Sequence, residues 1–158
     1  MLQVSKNELG AALEKAALGQ GFDRGTGLWL AGVVVQALNN GYPALTWAVQ
    51  ALKAAPEPPK TEERPEGWIC LNTSVLVAGP VLTDLLMAGE KLDGQGFVKL
   101  DVPELWTHLL DGGFESTPGP LRIDEDDWNA LQTYAAKTYV PATEQSRQGA
   151  GSNSSDRD

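Results

Sequence analysis

The sequence is poor in cysteine and histidine, the residues on which disulfides, many metal sites and many catalytic sites depend. It has one cysteine, Cys70, and one histidine, His108, among its 158 residues. A single cysteine excludes an intramolecular disulfide and any metal site made of several thiolates. A histidine that acts as a general base needs a nearby substrate and usually a partner that orients its ring. Because His108 lies between Trp106 and Leu109 on a short predicted helix, we expect a structural or surface role for it. We expect Cys70 to be a buried, unreactive thiol.

Basic residues and long apolar runs are also scarce. There are 12 lysines and arginines against 21 acidic residues, which gives a net charge of −9. This balance disfavours nucleic acid, whose phosphates need a basic surface, and it disfavours anionic membranes. The longest apolar run, from Leu28 to Val35, is too short to span a bilayer, and the first residues lack the pattern of a signal peptide. We therefore expect an acidic, soluble, cytoplasmic protein that binds neither nucleic acid nor membrane.

The first third of the sequence predicts a layer of three helices. A capping box of Ser5 and Glu8 begins the first helix, which is expected to span Ser5–Leu18. The second, Thr26–Asn39, has no charged residue and is apolar nearly all round, which is typical of a core helix. The third, Ala44–Lys53, has apolar residues at helical spacing.

The rest of the sequence predicts short alternating elements after a linker. The linker or exposed loop, Ala55 to Glu66, has four prolines and six charges, so it has little to bury. The expected elements are strands at Trp68–Leu71, Phe97–Leu100 and Leu121–Ile123, and helices at Pro80–Ala88, Pro103–Leu110 and Asp124–Lys137. No internal repeat is apparent. These elements predict an α+β fold in which later helices cover a small mixed sheet. We expect one globular domain, 1–147, followed by a Gly/Ser/Asp tail, 148–158.

A run of four acidic residues, Asp124 to Asp127, has two interpretations. It could be a metal cluster, but adjacent residues cannot all point at one ion. The pattern favours the first turn of a helix, where Asp124 caps the amides and the helix dipole stabilises the other carboxylates. We expect no metal and no cofactor.

The C-terminal segment is the part of the sequence that most resembles a ligand site. Arg147 offers a planar guanidinium that matches carboxylate or phosphate, and the nearby glycines allow backbone amides to approach an anion closely. The alternative is a solvated terminus with no ligand. The candidate ligand-binding residues are Tyr139, Thr143, Glu144, Ser146, Arg147, Gly149 and Gly151. No catalytic residue is assigned.

Three stretches support a resemblance to a known family. They are Val4-Ser5-x-Asn7-Glu8-Leu9 with Lys15-Ala16-Ala17-x-Gly19-x-Gly21; Ala78-Gly79-Pro80-x-Leu82-x-Asp84-Leu85-Leu86-x-Ala88-Gly89; and Thr138-Tyr139-Val140-Pro141-Ala142-Thr143-Glu144-x-Ser146-Arg147 with Gly149-Ala150-Gly151. In these stretches the chain resembles the bacterial domain of unknown function family 3726, whose ending has a Gly-Ala-Gly motif. That family has no assigned activity, so the resemblance implies where a function would be located and not which chemistry it uses.

Two functional hypotheses follow from the C-terminal segment. In the first, the protein is a non-catalytic accessory or interaction protein whose segment docks into a partner subunit or a second copy of the chain. In the second, it is a small-molecule-binding protein or an enzyme that takes a small anionic metabolite at this segment. The sequence favours the first, because it shows no acid/base pair and no nucleophile with an activating group.

Overall fold

The computed structural model describes residues 1–54, 56–57, 59–71, 75–93 and 116–138. Five helices and four strands lie within these ranges. In chain order they are β1 (Leu2–Val4), α1 (Lys6–Gly19), α2 (Arg24–Asn39), α3 (Ala44–Leu52), β2 (Lys60–Arg64), β3 (Gly67–Leu71), α4 (Val75–Met87), β4 (Leu121–Ile123) and α5 (Glu125–Ala136). The three N-terminal helices lie within two residues of their predicted bounds, and the α+β class is confirmed.

The strands form two small antiparallel sheets in place of the single mixed sheet that the sequence predicts. β1 pairs with β4, so that Leu2 faces Ile123, and β2 pairs with β3. β4 pairs with β1 because Leu121 and Ile123 are buried in the same hydrophobic core as Val4. β3 instead closes a local hairpin with the strand just before it. The predicted elements Phe97–Leu100 and Pro103–Leu110 lie outside the described residues.

The helix α2 is at the centre of the helical layer. It packs against α1, α3 and α4, and it buries residues such as Leu30, Val34 and Ala37. The burial is one-sided, however, because Leu28 is 51% exposed. The charge-free sequence correctly indicates a core element. The face of α2 that carries Leu28 is exposed, however, so the prediction of a helix buried nearly all round is wrong there.

The predicted linker, 55–66, contains the strand β2, which was not predicted from the sequence. All five residues of β2, Lys60–Arg64, are exposed, as its charges lead one to expect. The strand forms because Pro65 and Glu66 make a turn that brings β3 back alongside it. The exposed loop is therefore shorter than predicted.

The helix α4 begins before the proline that was expected to start it. It runs from Val75, so Pro80 lies inside the helix, beyond its first turn. A proline there removes one N–H from the helical ladder and costs free energy. Burial of Leu76 and Leu82, both fully inaccessible, offsets that cost. The helix stops next to Gly89, as predicted, with the Glu90 amide donating to the Leu85 carbonyl at 3.0 Å.

Helices α1 and α2 end with the same C-terminal motif, which was not predicted from the sequence. The stretches Ala17–Phe22 and Ala37–Tyr42 lie 20 positions apart. In each, the aromatic amide donates to the alanine carbonyl and the glycine amide to the leucine carbonyl, at 3.0–3.1 Å. Gly21 and Gly41 supply the required left-handed backbone, with φ of 91° and 84°. These are Schellman motifs, which end a helix and fold the next residue onto it.

Candidate functional site

The predicted ligand-binding residues lie outside the described part of the chain. All seven, Tyr139, Thr143, Glu144, Ser146, Arg147, Gly149 and Gly151, follow Thr138, where the last described range ends. His108 also lies outside it. The last described residue, Thr138, is the point at which these residues join the rest of the chain, and it lies just after the end of α5.

That point lies where α1 and α5 pack backbone to backbone. A Cβ atom on Gly19 would lie 2.0 Å from the carbonyl oxygen of Tyr134 and 3.3 Å from the Cβ of Lys137. Only glycine permits this approach without moving one of the helices. The last turn of α5 is thereby held against the last turn of α1.

Polar side chains tie a third helix to the same place. The Gln20 amide donates through Nε2 to the Leu52 carbonyl at 2.6 Å, at the end of α3. The Lys137 ammonium donates to the Gln20 Oε1 atom and lies 5.4 Å from the centre of the Tyr134 ring. We call Gln20, Leu52, Tyr134 and Lys137 the helix-end cluster. It joins the C-terminal ends of α1, α3 and α5.

The electrostatics of the helix-end cluster follow from the direction of its helices. The C-terminal end of a helix has a partial negative charge because its last carbonyls lack intrahelical partners. The Gln20 amide and the Lys137 ammonium supply donors at this end. Thr138 completes the arrangement, since its hydroxyl donates to the Ala135 carbonyl at 2.7 Å. These hydrogen bonds therefore hold the last turn of α5, up to Thr138, against the ends of α1 and α3.

Nothing in the sequence identified Gln20 and Lys137 in advance. Both are ordinary polar residues at helix ends, and 117 positions separate them in the chain. Their pairing depends on how α1 and α5 pack. In the sequence, Gly19 stands out only as part of the first resemblance stretch.

Several small residues of the first two resemblance stretches pack helices together. Ala16 and Ala17 are fully buried in α1, beside the contact that Gly19 makes. In α4, a Cβ on Gly79 would lie 2.2 Å from the ring of Trp29. The Trp29 indole N–H also donates to the Thr83 hydroxyl at 3.3 Å. These small residues let helices approach closely, so they contribute to the packing of the core.

The acidic run at the start of α5 is a helix cap. One carboxylate oxygen of Asp124 accepts the amides of Asp126 and Asp127, at 2.8 and 3.3 Å. The Asp127 carboxylate accepts the Thr46 hydroxyl at 2.5 Å, which ties α5 to α3. Within the described ranges, no group of three or more histidine, cysteine, aspartate or glutamate residues could hold a metal ion.

Asp23 caps α2 in the same manner and has a perturbed pKa. Its carboxylate accepts the Thr26 amide at 2.9 Å and the Thr26 hydroxyl at 3.0 Å. These hydrogen bonds, the backbone one first, lower the pKa of Asp23 below its ordinary value of 3.8 because they stabilise the ionised form. The group is exposed, and its hydrogen bonds stabilise the start of α2.

A shallow depression lies at the start of α1. Its volume is about 310 Å³, and it is lined by Ser5, Lys6, Asn7, Gly119 and Pro120. Two of its polar groups already have structural partners, since the Ser5 hydroxyl accepts the Glu8 amide at 3.1 Å and the Lys6 ammonium donates to the Thr117 carbonyl. The depression is open and offers no convergent set of free donors.

Comparison with known proteins gives no independent assignment. No family model, no curated protein and no solved structure matches the chain. The resemblance to family 3726 therefore stays a prediction. None of the helices that the structure describes is long and apolar enough to cross a membrane.

Proposed function

We propose that this chain is a non-catalytic accessory or interaction protein, bacterial and cytoplasmic, whose C-terminal segment docks into a protein partner. The observation that supports the proposal is the helix-end cluster. Gln20 and Lys137 join the C-terminal ends of α1, α3 and α5, next to Thr138, which precedes the candidate ligand-binding residues. A segment that starts from a fixed point loses less conformational entropy on binding than one on a mobile base.

The chemistry of docking would come from the segment itself. Ser146 and Arg147 provide a hydroxyl and a charged planar donor, and the Gly149-Ala150-Gly151 step has no bulky side chain that would block an approach to its backbone amides. Such donors match a carboxylate or a row of carbonyls on the partner. The net charge of −9 makes a basic partner surface favourable around that contact.

The resemblance to the bacterial family 3726 supports the same location. Its first two stretches include residues that pack helices together, such as Gly19 and Gly79. The third stretch begins at Thr138 and continues through the proposed docking residues. A function shared with that family would therefore be located in the third stretch.

The second candidate is a small anionic metabolite bound by the same donors. The observation that favours it is the sequence order of a guanidinium followed by closely spaced glycine amides, which suits an anion as well as a protein carboxylate. In this case the segment would fold over a pocket of its own chain, and the protein would bind the metabolite there or act on it as an enzyme.

The experiment compares wild type with Arg147→Ala and with a chain truncated at Gln148. Each is used in a pull-down and in a thermal-shift screen of carboxylate and phosphate metabolites. Loss of a charge-assisted contact should cost about 2–5 kcal/mol of binding, roughly 30-fold or more in Kd, with an unchanged melting temperature. The exposed Arg122 provides the matched control, Arg122→Ala, which should bind as wild type does.

The outcomes separate the two candidates. A partner protein lost with Arg147→Ala supports docking, whereas a metabolite that stabilises wild type but not the variant supports the second candidate. If wild type binds a partner or a metabolite and both altered chains bind it equally well, the segment has no role in recognition.

A further inference from the structure

We draw no further inference here: the strongest candidate, the uncharged outward face of α2 on which Gly25, Leu28 and Gly32 are exposed, is an unpartnered helix face, and nothing in the described part of the structure shows what covers it.

Discussion

Gly19 and Tyr134 are in contact through their backbones, with only 2.0 Å between the carbonyl oxygen of Tyr134 and the position that a Cβ on Gly19 would occupy. Real Cβ contacts are never this short, so any side chain at Gly19 must displace α5. This contact sets the distance between the last turns of α1 and α5. It thereby sets the position of the helix-end cluster.

Gly19→Ala should destabilise the protein, whereas Gly10→Ala should stabilise it. Both glycines lie in α1, but a Cβ on Gly10 would meet no atom within 4 Å. Alanine at position 10 should therefore add about 0.5–1 kcal/mol through helix propensity. Alanine at position 19 should cost on the order of 1–3 kcal/mol through overpacking. Urea unfolding followed by tryptophan fluorescence measures both, and equal effects of the two variants would contradict the close approach.

Gly79→Ala should destabilise the contact between α4 and α2 by a similar amount. The new methyl group would lie 2.2 Å from a rigid indole carbon of Trp29, which has little room to move. The expected cost is about 1–3 kcal/mol. Replacing Trp29 by leucine in the Gly79→Ala background should recover part of it, because the two changes are coupled. A double-mutant cycle by urea unfolding checks this, and strict additivity would show that the residues do not touch.

Val34→Asp should abolish the folded state. Val34 is completely inaccessible in α2, and an unpaired carboxylate there costs several kcal/mol, which is on the order of the whole free energy of unfolding. The control is Gln36→Asp, two positions along the same helix on its exposed side, which should melt within a few degrees of wild type. Circular dichroism melts of the two variants provide the comparison. A cooperative Val34→Asp melt near the wild-type temperature would show that α2 is not central to the core.

Asp23 should make a pH-dependent contribution to stability. Because its folded pKa lies below 3.8, its ionised form stabilises the fold at pH values well above 3.8. That stabilisation is lost as the pH falls through 3.8 to the lowered value. Asp23→Ala should therefore cost about 0.5–2 kcal/mol at pH 7, the usual cost of losing a cap, and less at pH 3.

The matched control for this prediction is Asp23→Ser, which can cap the helix but does not titrate. The stability difference between wild type and Asp23→Ser should change between pH 7 and pH 3. The difference between the serine and alanine variants should stay constant. Chemical unfolding at several pH values measures both differences. If the difference between wild type and Asp23→Ser is the same at pH 7 and pH 3, the prediction for Asp23 is wrong.

The local signals in the sequence were sufficient to predict much of the fold. Ser5 and Asp124 were predicted to begin helices because their side chains suit free helix amides, and both accept such amides. The charge-free run around Val34 predicted a core element because burial of charge is costly. These signals act between residues a few positions apart, so they can be identified without a structure. The candidate ligand-binding residues were also proposed from sequence alone, and they stay predictions.

Other features depended on contacts between distant parts of the chain. The strand at Lys60–Arg64 exists because β3 folds back on it, and Pro80 lies inside α4 because burial of Leu76 and Leu82 outweighs the lost hydrogen bond. The pairing of β1 with β4 depends on a shared core. The helix-end cluster brings Gln20 and Lys137 together only because a glycine at position 19 lets two helices touch. Short-range propensities therefore determined where most helices begin and end, whereas packing decided which of their ends meet.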